Sequence, residues 1–273
     1  MHSSVRTAFL VFLIPFSVFW AVFDTRILNP YNVEWLLAGD WGQHFIGWHF
    51  FRYDAWHFPL AKTTLGNFPN GFSIVFSDSN PLLALLLKPL SPLLPERFQY
   101  VGMWYLLCLV LKFHASLLLL RQFIAEQRLV LAFAALLLLH PPFFLRFGHE
   151  NLMAHFLWLY GLYVFLADMP HRRSTALFGA LAAASAAIHL YFAPVILALA
   201  AGKSILALRS GHRAGRTALE LLMGVFLPLL LVMVVLGYFT GAGGGAAFGR
   251  FSMNLNAFWN STGRSWFFDG LAM

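Results

Sequence analysis

Ser79–Leu94 reads SNPLLALLLKPLSPLL, and whether this apolar run crosses a membrane decides the threading of every element after it. A crossing here would invert each later loop. The run contains Lys88, Pro89 and Pro92. Proline has no N–H to donate, and hydrocarbon holds no water to satisfy the carbonyls left over, so a lipid-exposed span is a poor place for two of them. The segment is therefore expected to be a helix lying at, or dipping into, one face of the bilayer.

That the chain meets a bilayer at all follows from composition. Of its 273 residues, 60% are hydrophobic and 11% charged, against about 25% charged in a soluble domain. So few charges cannot coat a globule of this size, and most of the surface must face lipid. The 30 Phe and 9 Trp suit lipid-facing helices with aromatic belts at the interfaces. A formal net charge of +7 raises the question of nucleic acid. However, Lys and Arg fall in short loops between apolar runs and build no basic face, which argues against that partner. Cys108 is the lone cysteine, so there is no disulfide framework and no cysteine metal site.

A span needs about 20 mostly apolar residues, with several either way tolerated. Seven segments qualify: Ala8–Phe23, Phe98–Leu120, Leu129–Leu145, Leu152–Ala167, Thr175–Ile188, Tyr191–Leu208 and Thr217–Tyr238. Arg6 ahead of the first resembles the start of a signal peptide. Bulky residues fill the FWAVFD stretch (19–24) where cleavage needs small ones, so this helix is expected to be retained. With the N-terminus inside, Arg121, Arg128, Arg172, Arg173, Lys203, Arg209, Arg213 and Arg216 all fall in inner loops, as the positive-inside bias requires. The outer parts are then 24–97, 140–151, 189–194 and everything after 239.

The long first outer loop holds WGQHFIGWHFFRYDAW (41–56), with Trp41, Phe45, Trp48 and Phe51 at helical spacing. That is the pattern of a helix lying in the interface. Turns follow at GNFPN (66–70) and SDSNP (77–81). The expected fold is an all-α, polytopic transmembrane bundle of about seven spans, with interfacial helices in the first loop. It occupies 1–239. Residues 240–273, opening on the glycine run Gly241–Gly245, read as the start of a truncated outer segment.

The residues able to do chemistry gather on that outer side. Asp40, just before the interfacial helix, is the first candidate base, because a carboxylate half shielded by aromatic rings has its pKa lifted toward working range. An Asp in this place also caps helices. His44 lies one turn on and shares a face with it. The pair suits a divalent metal or a substrate hydroxyl, or else His44 is an interfacial histidine with an incidental neighbour. Arg52 suits a phosphate or a snorkelling cation. Asp78 and Asn80 form a second polar spot, or simply a turn before Pro81.

Arg146, His149 and Glu150 stand in RFGHEN (146–151), and His189 sits at the tip of a tight hairpin. Charged groups flanked by apolar helices are costly unless they face a cavity. The substrate-contact candidates are thus His44, Arg52, Asp78, Arg146, His149, Glu150 and His189. The metal candidates are Asp40, His44, Asp78 and Glu150. Only Lys112 and His114 stand mid-span, where a carrier concentrates its polar groups. No P-loop, HExxH pair or GxSxG elbow occurs.

The stretches GDWGQHFIGWHFFR (39–52), SDSNPLLALLLKPLSPLLPERFQY (77–100) and RFGHEN (146–151) resemble a family of bacterial membrane proteins of unknown function. The wider layout resembles the GT-C superfamily of membrane glycosyltransferases: a first span, a long outer loop with an Asp and two interfacial helices, then six more spans. That resemblance implies a polyprenyl-phosphate-linked sugar as donor, its tail in the membrane lipid. The acceptor would be a glycan, lipid or protein outside the cytoplasm. It implies Asp40 as the base or as a holder of Mg or Mn. Asp78, His149 and Glu150 become metal, donor or acceptor contacts, and Arg52, Arg146 or Arg250 face the donor phosphate. An outer DxD is absent, and Gly-Asp replaces the Asp-Glu pair of the protein mannosyltransferases, which leaves the acceptor open. The expectation is a multi-pass enzyme of a bacterial inner membrane with a cytoplasmic N-terminus. A lipid-linked saccharide flippase and a non-catalytic scaffold are the alternatives.

Overall fold

The computed structural model describes residues 2–240, with the side chains of 9–39 and 41–240. The expected outer tail beyond Thr240, Arg250 included, lies outside the described residues. Within them the chain is nearly all helix. Long runs of Leu, Ala and Phe leave the backbone to pair with itself, and a helix does so within one segment.

In chain order the elements are α1 (His2–Val22), α2 (Asp40–Tyr53), β1 (Lys62–Thr63), β2 (Phe72–Ser73), α3 (Pro81–Leu87) and α4 (Val101–Leu120). They continue with α5 (Gln127–Leu138), α6 (Pro141–Phe144), α7 (Phe156–Leu166), α8 (His171–Ile188), α9 (Ala193–Arg209), α10 (Ala214–Leu221) and α11 (Leu227–Leu236). Three stretches, Val101–Leu120, Leu190–Arg209 and Ala214–Leu236, are long and apolar enough to cross a membrane. The last joins α10 to α11 through one π-helical turn, Leu222–Phe226.

Two local outcomes differ from a plain run of spans. The expected third span is α5 followed by the one-turn α6, broken at His140 and restarted by Pro141 and Pro142. After it, irregular backbone with a 3₁₀ turn at Glu150–Met153 leads to α7, which has only 11 residues. A helix that short rises about 16 Å, roughly half a hydrocarbon core. The second difference is a minimal antiparallel ladder in the first loop, Lys62 opposite Ser73 and Thr63 opposite Phe72, which an all-α reading omits.

Residues 79–94 form α3 and then a 3₁₀ turn, Lys88–Leu93, a short apolar helix. Asn80 caps α3, its side chain accepting from the Leu83 N–H. Lys88 is buried: its Nζ donates to the Ala55 carbonyl at 3.1 Å and lies 3.9 Å from the centre of the Phe51 ring. Placed that way, the cation ties α3 to the end of α2.

Two helices organise the packing. α4 lies against α1, α5 and α7, while α8 lies against α7, α9 and α11. Small residues let α8 approach closely. A Cβ on Gly179 would fall 1.8 Å from the Gly224 carbonyl oxygen, so this crossing admits only glycine.

The end of α11 is held by the first loop. Its final carbonyls lack helical partners; Leu60 N–H donates to Val235 at 2.7 Å and the Ser73 hydroxyl to Leu236 at 2.6 Å. Gly237, at φ +84°, then turns the chain out of the helix.

Candidate functional site

The site is built from three turns that meet beside α2. The first is SDSN (77–80). Its middle is wound unusually, with Asp78 at φ +52° and Asn80 at φ +45°, left-handed backbone that Asp and Asn accept more readily than other side chains. What holds it there is α2. The Ser79 hydroxyl donates to the His44 carbonyl at 2.7 Å and meets the Ser77 hydroxyl at 2.8 Å, and Tyr100 O–H donates to the Ser79 carbonyl.

The second turn is RFGHEN. The Asn151 amide donates to the Asp78 carbonyl at 2.8 Å, and the Trp104 indole donates to the Glu150 carbonyl at 2.9 Å. The third is the α8–α9 hairpin, where His189 Nε2 lies 3.3 Å from Asp78 Oδ1.

His44 is the centre of this arrangement and only 1% exposed. Its Nδ1 is aligned on the Asp78 carbonyl at 3.0 Å. Glu150 Oε2 lies 2.9 Å from the same nitrogen but off hydrogen-bond alignment. His44 Nε2 is buried with no hydrogen-bond partner among the described residues. A nitrogen of His44, a carboxylate oxygen of Asp78 and a nitrogen of His149 lie within 4.8 Å of one another. The cluster reaches the surface at Asp78, whose side chain is 28% exposed.

The electrostatics follow from burial and pairing. Burial pushes the Glu150 carboxyl above the usual carboxylate range, with the His44 contact opposing. Burial works against a charged His44, yet the Glu150 contact outweighs it and holds the imidazole above its ordinary value. For Asp78, burial would raise the pKa, but His189 and the nearby His44 and His149 keep it below the ordinary value. These are histidine–carboxylate pairs whose charges depend on each other.

Of the sequence candidates, His44, Asp78, His149, Glu150 and His189 come together. Asp40 opens α2 one turn before His44, and its side chain lies outside those described. Arg52 is elsewhere. It sits eight residues along α2 from His44, about 12 Å by helical rise, and is buried against the carbonyls of Ser91, Leu94, Pro95 and Glu96 at 2.9–3.4 Å. Both terminal nitrogens of the guanidinium are thus committed to main-chain carbonyls. Arg146 is exposed on the other side of its turn, lining a cavity of about 720 Å³ with Lys112, His140, His155, Trp158 and Tyr191. No Asp or Glu among the described residues lines this cavity.

A second cavity, about 560 Å³, is walled by Trp35, Trp41 and Phe147 with Asp24, Asn32 and Glu34 at its polar side. Sequence reading named none of these as a group, although the tryptophans bracket Asp40. Lys112 and His114 part company: Lys112 faces Phe143, its Nζ 4.1 Å from the ring centre, while the His114 ring pairs with the Tyr160 hydroxyl at 2.7 Å.

A nearly all-α chain with three membrane-length helices and a buried histidine–carboxylate cluster is compatible with a membrane protein. The profile described as "Domain of unknown function (DUF6311)" matches residues 12–273, and the chain belongs to that family. Neither a curated protein nor a solved structure matches it.

Proposed function

We propose that the chain is an integral membrane glycosyltransferase that moves a sugar from a polyprenyl-phosphate donor to an acceptor on the extracytoplasmic side. In this reading it has about seven spans, a cytoplasmic N-terminus and a place in a bacterial inner membrane. The observation that carries it is the sharing of one backbone segment by two surfaces. Residues 146–155 present Arg146 and His155 to a largely apolar cavity, and His149 and Glu150 to the histidine–carboxylate cluster. A cavity that sets the Arg146 guanidinium over Trp and Leu suits a phosphate attached to an isoprenoid. The adjoining cluster suits the sugar end, and the Trp-lined cavity beside Asp40 suits a hydroxyl acceptor. Asp40 is the base.

Charge distribution supports the orientation. Arg172, Lys203 and Arg216 outnumber Asp168 and Glu220 in a separate cavity that includes His171, which starts α8, while His189 follows its end. The 18 residues between those ends rise about 27 Å. A carrier is less favoured, because Lys112 and His114 address different neighbours and mark no common path.

Purified full-length protein should transfer sugar from a polyprenyl-phosphate-linked donor. Asp40→Asn should slow turnover by about 100-fold or more, and Arg146→Gln should raise the KM for the donor. Unchanged turnover in Asp40→Asn would remove the base. Reporter tags after Arg128 or Arg213 found outside the cytoplasm would remove the threading and the reaction with it.

A further inference from the structure

His44 Nε2 presents a problem that the pairs around it leave unsolved. It is a buried ring nitrogen, and whether the imidazole is neutral or protonated, Nε2 lacks a hydrogen-bond partner among the described residues. Leaving such a group unpaired is costly, because burial strips its water and returns nothing. The other nitrogen is occupied: Nδ1 donates to the Asp78 carbonyl at 3.0 Å with Glu150 Oε2 2.9 Å away. An imidazole whose Nδ1–H is fixed by a carbonyl has its lone pair on Nε2. That is how metal-binding histidines are oriented, by an outer carbonyl or carboxylate.

We propose that His44, Asp78 and His149 hold a divalent transition-metal ion, with zinc the best fit. One nitrogen from each histidine and one Asp78 oxygen already lie within 4.8 Å of one another. Around a tetrahedral ion at bond lengths of 2.0–2.2 Å such donors stand roughly 3.4 Å apart, so side-chain rotation of about an ångström closes the set. Two imidazoles and one carboxylate favour zinc and its neighbours over magnesium or calcium, which prefer all-oxygen sites. This replaces the Mg or Mn expectation drawn from resemblance, and of the expected ligands it keeps His44 and Asp78, adds His149 and leaves out Asp40 and Glu150.

The surrounding groups take the roles such a site needs. Glu150 stands behind His44 and raises its basicity, and His189 stands behind Asp78 at 3.3 Å. Three protein ligands leave one position open on the ion, the arrangement of a catalytic rather than a purely structural zinc. Asp78, with its side chain 28% exposed, and the half-buried His149 form the accessible edge of the set.

The site is tested with the ion alone, independently of any sugar transfer. Full-length protein without a polyhistidine tag is stripped with a chelator and titrated with Co²⁺, then with Zn²⁺, reading visible absorption and bound metal by mass spectrometry. One Co²⁺ per chain with tetrahedral-field bands, bleached by Zn²⁺ and untouched by excess Mg²⁺, is the expected result. His149→Gln, at a half-buried turn, should weaken binding at least tenfold, and so should His44→Gln. Glu150→Gln should weaken it about 10- to 100-fold, and His114→Gln should leave it unchanged. If the wild type binds no Co²⁺ or Zn²⁺, the histidine–carboxylate pairs stand by themselves and the proposal is overturned. Equal binding by the His44→Gln/His149→Gln double variant, with melting behaviour like the wild type, overturns it as well.

Discussion

A Cβ built on Gly47 would lie 2.2 Å from the Ser79 hydroxyl oxygen and equally close to that of Ser77. The turn that carries Asp78 therefore rests directly on the backbone of α2, and a hydrogen atom is the largest side chain position 47 admits. Gly47→Ala should push this turn away and destabilise the protein by about 1–3 kcal/mol, the usual cost of overpacking. Gly42 in the same helix has its nearest neighbour at 3.8 Å, so Gly42→Ala should be neutral or stabilising by about 0.5–1 kcal/mol. Denaturation of both variants in detergent checks the contrast. Equal effects would mean that helix propensity, not the contact, decides.

Arg52 offers a test of position against charge. Its two terminal nitrogens serve four carbonyls at the end of the 3₁₀ segment, and its guanidinium carbon lies 4.8 Å from the centre of the Tyr53 ring. Lysine keeps the charge but loses the fork. Arg52→Lys should lower stability by about 1.5–3 kcal/mol while leaving the donor KM unchanged. A large KM change at wild-type stability would return Arg52 to the phosphate.

Asp54 makes the first loop acid-sensitive. Burial alone would raise its pKa, but Thr64 N–H, His57, and the Thr63 and Thr64 hydroxyls hold it well below the ordinary value. A carboxyl depressed on folding contributes stability above its unfolded pKa of about 3.9. That contribution is lost as pH falls through the lower, folded value. The stability gap between wild type and Asp54→Asn should be full at neutral pH and shrink below about pH 4. Lys88 is the cation facing this group, and the His57 ring lies 3.1 Å from it. Unfolding curves across that range decide the point; a constant gap would assign the effect to hydrogen bonding alone.

Ser73→Ala removes the donor to the Leu236 carbonyl in a buried place. The orphaned carbonyl should cost about 1–3 kcal/mol. Hydrogen exchange should quicken at the end of α11 and in residues 60–73 together. Faster exchange in only one of them would show that the two are not coupled.

The helices were legible because apolar runs of sufficient length leave the backbone little else to do. Each of the seven expected segments contains helix, and the prolines of 89–92 marked the short one. Boundaries failed where the chain breaks for local reasons, as at His140-Pro141-Pro142. The site was legible as a set of residue types at helix ends: His44, Asp78, His149, Glu150 and His189 were named from their unusual polarity. Their pairing was not, since nothing in the spacing says that Asp78 turns left-handed to meet both His44 and His189. The surroundings of Arg52 are illegible for the same reason. Its partners are main-chain carbonyls some forty positions away, and carbonyls carry no sequence signature. The β1–β2 ladder escaped because two residues per strand leave no alternation to detect.

The hold of Leu60 and Ser73 on the last carbonyls of α11 has a consequence for biogenesis. A ribosome that has delivered the chain only as far as α10 has already made every histidine of the cluster, yet the loop bearing Asp78 still lacks its far anchor. Among the described residues, the earliest loop is thus fastened late, by two contacts that cannot form before Val235 and Leu236 have been made.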